Sequence, residues 1–430
     1  MSSSTEQRRG GKERKGKMFD DILTRILDGL HSFKVKMYFL TKLRKGGTHR
    51  NNSSSASFIG SNIDILTLIL TRIPSKPLLD FKFVSKQWCS IITDPQFVHK
   101  HFTQNLRFSI PVLLWGDDTL PSTFEYISLH GNTNSYVPFR TRSFTEYIHG
   151  IEIVQSCNGL LICKSYSLSL RDFTYYIFNP STNKSKILPQ SQLLRSNHRF
   201  IDSVSLAFDP FRSPYYKVVA IWTDRSTSCY NYKIEIYDSE TSSWEFSGFY
   251  SCTLQPESIP RRKSGIFWNG SLHWCHREGS MVYFNIDREL VGVIPMPHPA
   301  REYDATMTFN IAEYRGHFYR TEINREFGRR FSIFEMDAAN SSWKLKGQVD
   351  VSLNPYNSSI FLPYSDSILF IIERDEDKES TKVMLLTKES MVVSYDFKDM
   401  RFEKIHDLST YTNFRHNVKF HQYIESLACV

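Results

Sequence analysis

Residues 217–246 read KVVAIWTDRSTSCYNYKIEIYDSETSSWEF. Val218 to Trp222 is an unbroken apolar run of strand length, the pattern of a strand covered on both faces. After a polar stretch, Tyr232, Ile234 and Ile236 alternate with Lys233 and Glu235, a second strand. Tyr237-Asp238 ends it, a polar turn follows, and Trp244 and Phe246 start a return strand. Aspartate heads such turns because its side chain bonds the turn backbone.

The same pattern recurs along the chain. A large apolar residue followed by Asn or Asp occurs as Phe178-Asn179, Tyr237-Asp238, Ile286-Asp287, Met336-Asp337 and Tyr395-Asp396. Six residues later, four copies carry Trp244, Val293, Trp343 and Phe402; the first copy has Ile187-Leu188 two positions further on. The Asn/Asp spacings are 59, 49, 50 and 59, and YISLHG, ending at Gly131, reads as a weaker sixth copy 48 residues before Asn179. Each hairpin has an apolar strand upstream: GLLIC, KVVAIW, SLHW, GHFY and ILFII. A period near 50 with several strands per copy predicts a kelch-like β-propeller. A two-sheet sandwich is the competing architecture, and it leaves the repeat unexplained.

Upstream of about residue 105 the texture is helical. Leu66, Ile69, Leu70 and Ile73 share a helix face that Asn62 can cap. Pro74 and Pro77 restart the chain before Leu78, Leu79, Phe81 and Val84. Ser85 caps a third helix with Trp88, Ile91 and Ile92, which Asp94-Pro95 ends. Three helices in about 40 residues bury too little surface to be securely stable alone, so residues 62–102 read as a partner-binding module or a helical cap. Phe19, Ile22, Leu23, Ile26, Leu27 and Leu30 predict an amphipathic helix over 19–30, and residues 46–62 have a linker's composition.

The 430 residues carry a net charge of +8, all of it within residues 1–60, which hold 13 basic and 5 acidic residues; the rest balances at 40 and 40. The folded part therefore lacks the basic stripe of a nucleic-acid-binding surface. No apolar run reaches the length of a membrane helix, and seven cysteines without a CxxC pair fit reduced thiols of the cytoplasm or nucleus. Gly11 to Lys17 matches GxxxxGK, but Met18 follows and no strand precedes it, so the stretch reads as a solvated basic tail. His273, Cys275 and His276 would suggest a metal; on a strand, however, Cys275 and His276 point to opposite faces. No catalytic motif and no cofactor fingerprint is found.

Residues 72–102, RIPSKPLLDFKFVSKQWCSIITDPQFVHKHF, resemble the core of an F-box. Residues 154–409 resemble the F-box-associated interaction domain of the large plant F-box family. The likeness is carried by VQSCNGLLIC, IFNPSTNKSKILP, LAFDPFRSPYYKVVAI, IFWNGSLHW and YDFKDMRFEKI. The resemblance implies a multidomain chain: a basic extension over 1–61, a small three-helix F-box over 62–102, and an all-β propeller over 103–430. It implies the substrate-recognition subunit of an SCF-type (cullin-RING) ubiquitin ligase, without catalytic residues or cofactor. Its partners would be a Skp-family adaptor, a cullin through that adaptor, and a target protein, with neither nucleic acid nor membrane. By the same match, Ile65, Leu66, Pro74, Leu78, Leu79, Val84 and Trp88 form or support the adaptor contact. Two departures stand out: Ser61-Asn62 replace the family's Leu-Pro start, and Leu68 replaces an acid in the first helix.

Overall fold

A computed structural model describes residues 62–108, 112–117, 123–128, 141–143, 151–166, 173–191, 199–224, 231–251, 263–276, 279–297, 307–324, 330–339, 341–356, 368–373, 381–387, 391–407 and 418–430. The helix expected over 19–30, the basic extension and the linker lie outside them. The chain divides into two compact units, Met1–Asn105 and Leu106–Val430.

The first unit holds α1 (Ile63–Leu70), α2 (Ser75–Phe81), α3 (Lys86–Thr93) and all but the last three residues of α4 (Pro95–Phe108). Asn62 caps α1 by accepting from Ile65 N at 3.1 Å, and Ser85 caps α3 by accepting from Trp88 N at 3.1 Å. The fourth helix corrects the three-helix expectation. Asp94 ends α3, but its Oδ1 accepts from the amides of Gln96 and Phe97 and so starts α4, with Pro95 at a first-turn position that needs no donor. His101 on α4 is buried and its Nε2 meets Ile73 O at 2.8 Å; burial pushes its pKa down to about 4, so it is a neutral core histidine.

The second unit is a β-propeller of six antiparallel four-stranded sheets. Its first sheet contains β1 (Val112–Asp117), β2 (Thr123–Ser128) and β3 (Thr141–Ser143). The second is β4 (Ile151–Cys157), β5 (Leu160–Tyr166), β6 (Phe173–Asn179) and β7 (Lys184–Ile187). The third is β8 (Arg199–Ala207), β9 (Lys217–Asp224), β10 (Asn231–Asp238) and β11 (Ser243–Ser251). The fourth is β12 (Ile266–Trp268), β13 (Ser271–Cys275), β14 (Met281–Asn285) and β15 (Leu290–Ile294). The fifth is β16 (Met307–Tyr314), β17 (His317–Asn324), β18 (Arg330–Asp337) and β19 (Ser342–Asp350); the sixth is β20 (Ile368–Glu373), β21 (Thr381–Leu386), β22 (Met391–Asp396) and β23 (Arg401–Asp407). A last strand, β24 (Val418–Tyr423), returns to pair with β1. The first strand of each later sheet lies innermost, and neighbours touch in the cycle β4, β8, β12, β16, β20, β24 and back to β4. The ring is thus closed by a sheet shared between the two ends of the unit.

Hydrophobic clusters lie between neighbouring sheets. Middle strands are therefore covered on both faces, which is why β9 runs Val218, Val219, Ala220, Ile221, Trp222 with every side chain buried. The outer hairpins repeat closely. Asn179, Asp238, Asn285, Asp337 and Asp396 each accept from a turn amide, and the residue four places on has positive φ in every case: Asn183, Ser242, Glu289, Ser341 and Met400. This register corrects one copy of the sequence repeat. In the fourth sheet the turn residue is Asn285, not Asp287, and its return-strand partner is Val291, opposite Phe284, not Val293. ILFII is likewise the innermost strand of its sheet, so the true counterpart of GLLIC, KVVAIW, SLHW and GHFY is β21. YISLHG enters the first sheet as β2, the position its weaker likeness implied.

Trp244 and Trp343 do occupy equivalent places. Each lies on an outermost strand, and its indole N–H donates to a proline carbonyl just past the outermost strand of the preceding sheet: Pro189 O at 2.7 Å and Pro295 O at 2.8 Å. Both rings are half-buried.

Candidate protein-interaction site

The helical unit sorts the seven adaptor residues implied by resemblance into two groups. Leu66, Leu78 and Trp88 are buried, Leu78 completely, and the Trp88 ring meets Phe81 edge-on with centroids 5.6 Å apart. They shape the helices from inside. Ile65, Pro74, Leu79 and Val84 are half-buried and reach the surface. Three apolar residues outside the implied set are more open: Ile63 at 57%, Leu68 at 45% and Phe83 at 87% exposure. Phe83 sits in the Lys82–Val84 turn after α2, where no helical period turns it inward, so a 3.6-residue pattern had no means of finding it. Exposed Leu68 shows that the lost acid of the first helix was a surface position. The Asn62 start supplies α1 with a cap of its own where the family has Leu-Pro.

The propeller presents two unlike ends. At one, the chain reverses through the Asx-headed outer hairpins and through two-residue turns, Asn158-Gly159, Asn269-Gly270 and Arg315-Gly316, both residues of each having positive φ. The loop 208–216 lies at this end too. Asn158 Nδ2 donates to Phe208 O at 2.7 Å, Arg212 pairs with Asp209 and Asp287, and Phe211 and Tyr215 are exposed. At the other end β5, β9 and β17 hand over to β6, β10 and β18 through segments outside the described residues, as do most links between sheets.

The polar groups inside the propeller serve the packing. Gln155 on β4 donates to Leu206 O at 3.1 Å and accepts from Leu206 N at 2.7 Å, which ties two innermost strands together. Arg320, 1% exposed, lies over the Phe309 ring, donates to Gly279 O and pairs with Glu322 at 2.9 Å. His273 is packed against Phe318 and Tyr283, and burial holds its pKa down at about 4. The Cys275 thiol is pushed up to about 11 by burial and donates to His276 O at 3.6 Å. Among the described residues no three His, Cys, Asp or Glu side chains are grouped to hold a metal, and no helix is long and apolar enough to cross a membrane. A cavity of about 270 Å³ lies between the second and third sheets, lined by Tyr175, Leu188, Ile201, Trp222 and Trp244 among others.

Comparison with known proteins agrees with this architecture. The F-box domain family matches residues 62–100, and the F-box associated beta propeller domain family matches residues 123–316. The F-box protein At5g07610 of Arabidopsis thaliana is 28% identical over 426 residues, spanning 91% of this chain and 98% of the relative. The Arabidopsis F-box/kelch-repeat protein At3g17530 is 25% identical over 252 residues, 55% of this chain and 60% of the relative. An F-box joined to a β-propeller is the make-up of a non-catalytic interaction protein. The chain carries an F-box domain followed by an F-box-associated, kelch-like β-propeller domain, matching many plant F-box proteins.

Proposed function

We propose that this chain is the substrate-recognition subunit of an SCF-type ubiquitin ligase. The F-box binds a Skp-family adaptor, and through it a cullin; the propeller holds a target protein, in the cytoplasm or nucleus. The chain contributes proximity: it raises the effective concentration of target lysines near a ubiquitin thioester carried elsewhere in the assembly. The observation that carries this reading is the F-box surface itself, where Ile63, Leu68 and Phe83 are exposed and Pro74, Leu79 and Val84 are half-buried. Apolar anchors that lose their water on binding dominate interfaces of this kind.

The test is adaptor affinity of the whole protein, by titration with a purified Skp-family adaptor. Pro74→Ala with Phe83→Ala should weaken binding by about tenfold or more while helix content stays constant. Leu78→Ala should instead reduce helix content, since that side chain is fully buried. A rival reading, an adaptor-independent propeller scaffold, is favoured by the Ser61-Asn62 start and Leu68. It stands, and the ligase reading falls, if the unmodified protein binds no adaptor at micromolar concentration.

A further inference from the structure

The segment after β24, Ile424–Val430, does not continue the first sheet. It crosses to the second sheet and settles on the turn that follows β6. Asn179, fully buried, spends its whole hydrogen-bonding capacity there. Its Nδ2 donates to Ser426 O at 3.0 Å and to Ala428 O at 2.8 Å, while its Oδ1 accepts from Ser181 N at 2.9 Å and Thr182 N at 3.3 Å. That network fixes the amide's orientation, with the acceptor towards amides and the donor towards carbonyls. Ser181 Oγ accepts from Ser426 N at 3.2 Å and bonds the Tyr423 hydroxyl at 2.6 Å. Gly159, at φ +88, leaves the floor: a Cβ there would overlap Ser426 Cβ and stand 2.7 Å from Ile424 O. Ala428 and Val430 reach the cluster between the second and third sheets, and Ser426, Leu427 and Ala428 are all buried. Carbonyls two residues apart that face one side have the spacing of an extended backbone.

The requirement for a donor explains a detail of the repeat. The other hairpins head their turns with Asp238, Asn285, Asp337 and Asp396, each accepting from its own turn; of these only Asn285 also donates, to Ser271 Oγ of its own sheet at 3.1 Å. The second sheet needs an acceptor for its turn and two donors for the crossing segment, which asparagine supplies and aspartate does not.

We propose that Gly159, Asn179 and Ser181 form a peptide-binding site occupied in cis by Ile424–Val430, a strap that fastens the shared first sheet to the second. The site takes an extended peptide with a small residue opposite Gly159 and free carbonyls at that residue and two further on. Binding is separable from the blades: the strap can leave while the sheets stay folded.

Amide hydrogen exchange on the full chain tests this. Asn179→Asp keeps the Oδ1 acceptor and removes both donors. Exchange within 424–430 should accelerate about tenfold or more, with β5 and β9 as protected as before. Ser426→Phe, which alters only the strap, should do the same and covers the case in which the first variant misfolds. In trans, a chain ending at Tyr423 should bind a fluorescein-labelled synthetic peptide of residues 424–430 saturably, and at least tenfold less well once Asn179→Asp is added. Unchanged strap exchange in both variants overturns the proposal. So does simultaneous loss of protection in β5 and β9, which would make the strap part of the cooperative core, or failure of a folded truncated chain to bind the peptide. If truncation unfolds the chain, the exchange result decides.

Discussion

Replacing Trp343 separates the two things its indole does. The ring lies half-buried on β19, 6.0 Å from the Phe318 ring, and its N–H donates 2.8 Å to Pro295 O across the boundary between the fourth and fifth sheets. Trp343→Phe keeps an aromatic ring and removes one hydrogen bond to an accessible carbonyl, a loss of about 1 kcal/mol. Trp343→Ala also removes the packing. A fully buried Trp→Ala change costs about 3–5 kcal/mol, and half the ring's surface is at stake here, so the expected loss is about 2–3 kcal/mol. The sequence repeat alone would assign the full-burial figure; the exposure of the ring lowers it. Urea titrations of the whole protein read both values, with unchanged slope as the sign that the denatured state is not involved. Trp244→Phe should match Trp343→Phe within about 0.5 kcal/mol, because the two indoles bond equivalent carbonyls. Two results would refute the reasoning: a Phe variant as costly as the Ala variant, or a Trp244 variant that costs nothing while its Trp343 counterpart costs the full amount.

Arg320→Ala should destabilise the propeller by about 3–5 kcal/mol in the same titration, because it removes a buried guanidinium that pairs with Glu322, donates to Gly279 O and covers the Phe309 ring. Glu313 gives a pH signature. Burial, aided by Asp209, pushes its carboxyl from 4.5 up to about 7, against the Gly316 amide that donates to it at 2.7 Å. The native state therefore keeps a proton that the unfolded chain releases, so this contribution to stability is fully present below about pH 4.5 and is lost as pH rises towards 7. Glu313→Gln should remove that slope and be about 1–3 kcal/mol more stable than the parent near pH 8, as thermal scans across pH would show; an unaltered slope would count against it. Asp337→Asn should keep its turn bond to Ala339 N and lose the ion pair to Lys344, for less than about 1 kcal/mol, whereas Asp337→Ala should cost more because the turn amide loses its acceptor. A denaturation midpoint equal for the two substitutions would argue against the turn role.

Local patterns made much of this protein legible from its residues. The F-box motif, the helix caps Asn62 and Ser85, and the unbroken apolar middle strands depend on neighbours in the chain, and all appear where those neighbours place them. The propeller was legible because a sheet repeated around a ring meets the same environment each time, so the same turn recurs. What escaped depends on partners far away in sequence. Asp94-Pro95 reads equally as a stop and a start, and the folded chain uses it as both, ending α3 and capping α4. Asp287 and Asn285 stand two residues apart, and strand pairing alone chose between them. Phe83 and Leu68 look like core residues in composition and lie at the surface, since burial belongs to the packed helices and not to residue type. The closing strand β24 and the role of Asn179 lie further still from local reading: its amide meets carbonyls 247 and 249 residues away, a distance that periodicity cannot span and folding brings to 3.0 and 2.8 Å.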